Sequence, residues 1–300
     1  MSRRPALTRF AWVVLVFSVG VIALGALVRA TGSGAGCGRS WPTCQGELVP
    51  PLEGATAIEF AHRAASGLAL ILVFSLAIAV FRQTEGRHPA RLGAALSAVA
   101  IVVEALIGAM LVLAEWVAGD ASPARAVAVP LHLVNTLFLL GALTLTAFWL
   151  GGGRRLGFGN AQLRRWVIVA GAALVLIFAT GAVAALADTL FPGEPLAADF
   201  STEAHFLTRV RIVHPVLALV AAGAAWWVAS QGEGGRSMAM RTIPVLVGLM
   251  LISGVVSVLL GVPIWMQIVH LLLADALWVT YVWVSAQALQ VSVAPVGVSR

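Results

Sequence analysis

The sequence predicts an all-α integral membrane protein with eight transmembrane helices, built as two pseudo-repeated four-helix bundles. Three observations carry this. First, 60% of the 300 residues are apolar, 11% are charged, and the mean hydropathy is +0.96. Soluble domains have about 45–50% apolar and about 25% charged residues, so a water-soluble globular protein is excluded. Second, apolar runs near the spanning length of about 20 residues recur eight times. Third, the two halves of the chain share one layout.

The runs fall at 10–30, 58–81, 93–114, 128–150, 166–187, 207–230, 243–262 and 266–288. The first is too long for a signal-peptide core of about 7–15 residues and ends at Arg29, not at a small-residue cleavage site, so it reads as a span. Long loops at 31–57 and 188–206 lie on one side, with a short turn near Pro263. The opposite connectors, GGGRRLGFGNAQLRR and QGEGGRSMAMR, carry no catalytic pattern and read as solvated links.

All 19 basic residues are Arg. Thirteen fall on the side of the termini and six on the side of the long loops. The positive-inside rule places the richer side in the cytoplasm, so both termini are cytoplasmic in a multi-pass plasma-membrane protein. The net charge of +6 is scattered between apolar runs, and the expected partner is the lipid bilayer, not nucleic acid.

The repeat divides the chain into 1–150 and 166–300. LIGAMLVL in the third run matches LISGVVSVL in the seventh, and each precedes a run with an early histidine: PLHLVNT with His132 and QIVHLLLAD with His270. EFAHRAASG with His62 and RVRIVHPVLA with His214 open the second and sixth. Glycines in the odd-numbered runs permit close helix approach.

His62, His132, His214 and His270 therefore lie in the first turns of spans 2, 4, 6 and 8, which all run inward from the outer side. Two such residues per half, on two helices, suit a metal held between helices of a bundle. A single intramembrane histidine also reads as a core residue bonded across helices. Four at one depth favour function, and paired axial histidines favour haem iron toward the outer side of the membrane. Zinc prefers compact tetrahedral sets, and copper stays open on ligand type. His88 reads as a loop residue and His205 as interfacial.

Glu59 lies three residues before His62, on the same helical face. It reads either as a catalytic carboxylate, acting as base or as an anion facing a developing cation, or as an ion-pair partner of Arg63 at i+4. Arg63, Arg209 and Arg211 sit near the outer ends of histidine-bearing spans, placed to hold haem propionates or to snorkel. Glu104, Asn135 and Asp275 are deeper polar residues facing the bundle interior, with no catalytic role assigned. Cys37 and Cys44 lie in the first outer loop, where an oxidising compartment allows a disulfide. That bridge reads as a static staple or as a redox-sensitive element. CxxC and CxxCH are absent, so neither a thioredoxin motif nor covalent c-type haem is indicated.

Taken together, GSGAGCGRSWPTCQG, EFAHR, LHLVNT, RVRIVHP and IVHLLLAD resemble the haem A synthase family over nearly the whole chain. The resemblance implies that His62 and His132 bind the substrate haem in the N-terminal half, while His214 and His270 hold a haem b in the C-terminal half. It implies oxidation of the C8 methyl of haem O to the formyl group of haem A, through an alcohol and a hydrated diol, with water as oxygen source. It makes Glu59 catalytic, and it implies a haem O synthase and an electron acceptor as partners. Glu104 departs from it, standing where a neutral polar residue is expected. Two rivals explain four histidines: a di-haem b-type electron carrier and a haem transporter or chaperone. The carrier does not call for Glu59 or the cysteine loop. The transporter is expected to show a Trp-rich outer segment, whereas the ten Trp here are dispersed.

Overall fold

The computed structural model describes residues 4–157, 161–193, 196–230 and 238–290, with side chains left aside over 222–230 and 238–241. Its long elements are α1 (Pro5–Ala30), α2 (Gly54–Gln83), α3 (Ala90–Leu113), α4 (Pro123–Leu150), α5 (Ala161–Leu190), α6 (Phe206–Ser230), α7 (Met238–Leu259) and α8 (Ile264–Ala288). Single 3₁₀ turns lie at Ser33–Ala35 and Leu196–Phe200. Among the described residues, seven of the eight helices are long and apolar enough to cross a membrane. The exception is α6, of which only 206–221 is described with its side chains. The chain is thus a multi-pass membrane protein.

The helices start earlier than the apolar runs because polar residues at the membrane edge are already helical. Pro5 and Pro123 occupy first-turn positions, where the missing N–H costs nothing. The Ser122 hydroxyl caps α4 by accepting the Arg125 amide at 3.3 Å. Pro130 and Pro215 sit inside α4 and α6, each within two residues of a histidine. Each removes one amide donor from the helical ladder.

Two rings of helices result. In the first, α1 packs on α2, α2 on α3, α3 on α4 and α4 on α1; α5 to α8 close in the same cyclic order. The rings meet where α4 and α1 pack on α8 and α5. The main core fills the first ring with small residues, among them Ala11, Ala69, Ala94, Ala100 and Ala147. Buried hydroxyls there bond backward to their own helix: Ser18 to Val14, Ser97 to Gly93, Thr144 to Leu140 and Thr146 to Ala142. Small residues bring backbones close, and back-bonded hydroxyls leave no polar atom unpaired in lipid. Val16, Ile71, Ile78, Val99, Leu219 and Ile252 point outward and are exposed, as a lipid-facing surface requires.

At the seam, the Trp278 indole of α8 donates to the Leu137 carbonyl of α4 at 2.6 Å. Trp12 of α1 and Phe148 of α4 flank Trp283 of α8, with ring centroids 5.5 and 5.2 Å away. Arg29 of α1 crosses into the second ring. It donates to the Ala185 carbonyl at 2.6 Å, the Thr189 hydroxyl at 2.7 Å and Gln267 Oε1 at 2.9 Å.

Candidate functional site

His62 is the ninth residue of α2, His132 the tenth of α4, His214 the ninth of α6 and His270 the seventh of α8. At 1.5 Å per residue they lie about 9–14 Å below their helix starts. That is about two turns in, deeper than the first turn expected from the apolar runs, because α2, α4 and α8 start before their runs and His214 is already the eighth residue of its run.

Every one of the four rings rests on a glycine of the preceding helix. A Cβ added at Gly25 of α1 would stand 3.0 Å from His62 Cε1, and one at Gly108 of α3 3.9 Å from His132 Cε1. The matching distances are 2.9 Å from Gly181 of α5 to His214 Cε1 and 3.5 Å from Gly254 of α7 to His270 Cε1. The repeat read from sequence is thus present as one side-chain arrangement, made four times.

In the second ring of helices, hydroxyls fix the imidazoles. Ser253 donates to the Met250 carbonyl at 2.9 Å and lies 2.8 Å from His270 Nδ1. Its hydrogen is committed, so its lone pair accepts from Nδ1–H. Thr180 repeats this, donating to Ile177 at 2.8 Å and lying 3.3 Å from His214 Nδ1. This assignment leaves Nε2 of each histidine free as a ligand. The two ring centroids are 6.5 Å apart with planes at 83°. Two imidazoles on opposite sides of one metal, each nitrogen at about 2 Å, put their centroids about 6–6.5 Å apart. The donor set therefore fits a bis-histidine haem. Among the described residues no group of three His, Cys, Asp or Glu side chains is placed to hold a metal ion, as a tetrahedral zinc site would need.

The first ring surrounds its pair differently. His132 Nδ1 stands 3.3 Å from Glu104 Oε1, near enough for an ion pair but not aligned as a hydrogen bond. His62 Nδ1 is likewise buried without a hydrogen bond. Glu104 itself accepts Asn135 Nδ2 at 2.5 Å and the Thr136 hydroxyl.

Glu59 is 3% exposed. Its Oε2 accepts the Cys37 amide at 2.7 Å; its Oε1 accepts Arg63 Nε at 3.0 Å and Nη2 at 2.5 Å. Arg63 Nη1 then donates to the Ser40 and Thr43 carbonyls at 2.6 and 2.8 Å. The i+4 ion pair expected from sequence is present, and it also carries the loop. Cys37 and Cys44 are disulfide-bonded with Cα atoms 4.5 Å apart, and both are buried. Gly36 lies so close to α2 that a Cβ there would meet the Ala55 backbone at 2.5 Å, so the loop is seated on the start of the helix that carries His62.

In the second ring, the position three residues before the histidine holds Arg211. It donates from Nη2 and Nε to Asp199 at 2.6 and 3.0 Å, and from Nη1 to Asp188 at 3.4 Å. Arg209 is exposed and donates to the Thr202 carbonyl at 2.8 Å. His205 stacks between Phe191 and Phe206. His88 accepts the Ala90 amide at 3.2 Å in the α2–α3 connection, where burial, and then the charge of Arg4, push its pKa down. Asp275 is 1% exposed, with neither oxygen hydrogen-bonded.

Residues 8–282 match the cytochrome oxidase assembly protein family COX15-CtaA. The chain belongs to this family. Within it, similarity to single proteins is regional. The chain is 45% identical over 226 residues to a protoheme IX farnesyltransferase of Thermus thermophilus, covering 72% of this chain and 37% of the relative. It is 44% identical over 85 residues to a heme A synthase of Bacillus licheniformis, covering 28% of each. It is 43% identical over 102 residues to a heme A synthase of Bacillus mycoides, covering 33% of each. The matches span about a third of each relative's length. The family assignment agrees with the resemblance carried by the four histidine motifs and the cysteine loop.

Sequence reasoning missed Thr180, Ser253, Asp199 and the reach of Arg29. The nearest signal was the register of LISGVVSVL, where Ser253 immediately precedes the glycine that meets a histidine.

Proposed function

We propose that this protein is a haem A synthase, oxidising the C8 methyl of haem O to the formyl group of haem A for terminal oxidase assembly, with water as oxygen source. The observation that carries the reading is one asymmetry within a repeated geometry. A buried carboxylate, Glu59, stands one turn before His62, and Arg211 takes that position before His214. Passing electrons between two haems requires the histidines but not that carboxylate.

In this reading residues 1–150 form the substrate bundle, with haem O between His62 and His132. Residues 166–300 form a second bundle in which His214 and His270 would hold haem b. When bound there, haem b would supply one-electron acceptance, with an external acceptor as the final sink. Converting the methyl to the formyl group consumes one water net and releases four protons and four electrons, by way of the alcohol and the hydrated diol. Glu59, oriented by Arg63 and the Cys37 amide, is the catalytic residue. Its negative charge stabilises positive charge developing at the methyl carbon, or its oxygen takes a proton from the attacking water. Arg209, the exposed guanidinium of the three, is placed for a propionate. Arg63 and Arg211 would reach a propionate only alongside the carboxylates and carbonyls they already bond.

Both termini are cytoplasmic and the haem sites lie toward the outer side of the plasma membrane in this reading, which the arginine distribution supports. Haem O comes from a haem O synthase. The Thermus relative named a protoheme IX farnesyltransferase supports such a neighbour, since it contains a segment similar to this chain.

The test is pigment extraction from the purified full-length protein, expressed in a host that makes haem O. Haem A or its alcohol precursor in the extract supports the synthase. Haem b alone supports the di-haem carrier, and haem O passed unchanged to an acceptor protein supports a transporter or chaperone.

A further inference from the structure

We propose that Glu104 sets the redox character of the haem site on His132, poising the N-terminal site at a lower potential than the C-terminal one. The inference rests on the assignment of the histidines as haem ligands made above.

Glu104 occupies a position with three structural counterparts. It lies four residues before Gly108, the glycine beneath His132. The residues four before the other three glycines are Val21, Ile177 and Met250, so one of the four rings has a carboxyl group beside it at this register. The carboxyl group is held from α4, the helix that also carries the ligand. Asn135 Nδ2 donates to Oε2 at 2.5 Å and the Thr136 hydroxyl points to Oε1. The same Asn135 amide donates to the Ala100 carbonyl at 2.9 Å, tying α4 to α3. The Asn135 amide can only donate, so Oε2 accepts, while the single Thr136 hydrogen is shared between Oε1 and the His132 carbonyl 3.0 Å away.

The two acids nearest the histidines of this ring differ, Glu59 being buried and Glu104 half-buried. Glu59 is balanced by Arg63 at 2.5 Å. The polar partners of Glu104 are the neutral Asn135 and Thr136, and it stands 3.3 Å from His132 Nδ1. An anion whose partners are neutral acts through space on a ring at that range, whatever the angle of the contact, in proportion to how far the site excludes water. A carboxylate at the outer nitrogen makes a ligating imidazole more basic, which favours ferric over ferrous iron. His214 and His270 face the Thr180 and Ser253 hydroxyls instead. These orient the ring without adding charge. The resulting order makes electron flow from the N-terminal to the C-terminal site downhill.

The experiment is a spectroelectrochemical titration of the full-length protein in lipid nanodiscs, reconstituted with protohaem. Glu104→Gln is expected to raise the midpoint potential of the N-terminal haem and leave the C-terminal one in place. A tenfold loss of ferric preference corresponds to about 59 mV for a one-electron couple. Haem retention at that site is expected to weaken by about 10–100-fold. Glu104→Asp keeps the charge and is expected to hold the potential near that of the parent protein. Equal shifts at both haems, or none, overturn the inference. Loss of all haem from both variants also overturns it, by assigning Glu104 to the fold. His132→Ala separates the two readings. If it leaves the haem content unchanged, the ligand assignment itself fails. If it removes one haem while Glu104→Gln moves no potential, the failure is that of the inference alone.

Discussion

The two rings of helices place their histidines in the same way and surround them with opposite chemistry. In the first, the position three residues before the α2 histidine is an acid, Glu59, held by an arginine and by the amide of a disulfide-bonded loop. In the second it is an arginine, Arg211, gripped by Asp199 and Asp188. Both are buried charge pairs that fasten a long loop to a histidine-bearing helix. The difference is which sign the helix carries toward the site. A helical scaffold fixes where the imidazoles stand, and a few side chains around them set the charge that each pair meets.

The largest expected effect tests whether the second ring is a haem site at all. Replacing His214 or His270 with Ala should abolish the C-terminal haem b band in reduced-minus-oxidised spectra and leave the N-terminal pigment. Full retention of the band in both variants would show that these histidines are not ligands.

Next in size is the asymmetry at Glu59. Glu59→Gln should fold, insert and bind haem O, while haem A production falls by about 10²–10³, the usual worth of one preorganised charge at a reacting centre. The product ratio by mass spectrometry is the measurement, and unchanged haem A output would return Glu59 to a purely structural clamp.

A smaller and graded effect is expected at the glycines. Gly181→Ala puts a methyl 2.9 Å from the His214 ring, whereas Gly108→Ala leaves 3.9 Å to His132. The first should shift the absorbance and weaken haem retention, and the second should be near neutral. If both behave alike, the glycines do not set ring position.

The smallest effect belongs to the cysteines. Peptide mapping without reductant should recover Cys37 joined to Cys44. Cys37→Ser and Cys44→Ser should each retain part of the activity, because the Cys37 amide that holds Glu59 belongs to the backbone and survives the change. Complete inactivation on a par with Glu59→Gln would assign the bridge a role in the chemistry.

Most of the architecture was legible because its cause is local. A run such as 128–150 declares a span by itself, and a histidine early in every second span declares a shared depth. The helix starts were less legible: 123–127 is polar enough to read as loop, yet Ser122 and Pro123 launch a helix there. Within the site, the four histidines and the Glu59–Arg63 spacing were visible along one helix. The partners across helices were not. Ser253 and Thr180 are single hydroxyls in apolar runs, and their meaning depends on which glycine stacks under which ring. Asp199 lies in the 3₁₀ turn of the α5–α6 connection, and its pairing with Arg211 depends on how that connection folds back.

Arg29 carries a consequence for how the chain is made. Its acceptors lie 156, 160 and 238 positions further along the chain, so α1 enters the bilayer long before they are synthesised. Proteins assemble from the N-terminus as they emerge, and a guanidinium without acceptors is costly within a membrane. Until α5 and α8 arrive, the arginine must therefore stay at the headgroup level, with α1 riding high or tilted. Its descent into the seam comes last, when Gln267 closes the set. The first helix to be inserted is then among the last to be seated, and a chain truncated before α8 should expose Arg29 to water-soluble labels that the finished protein excludes.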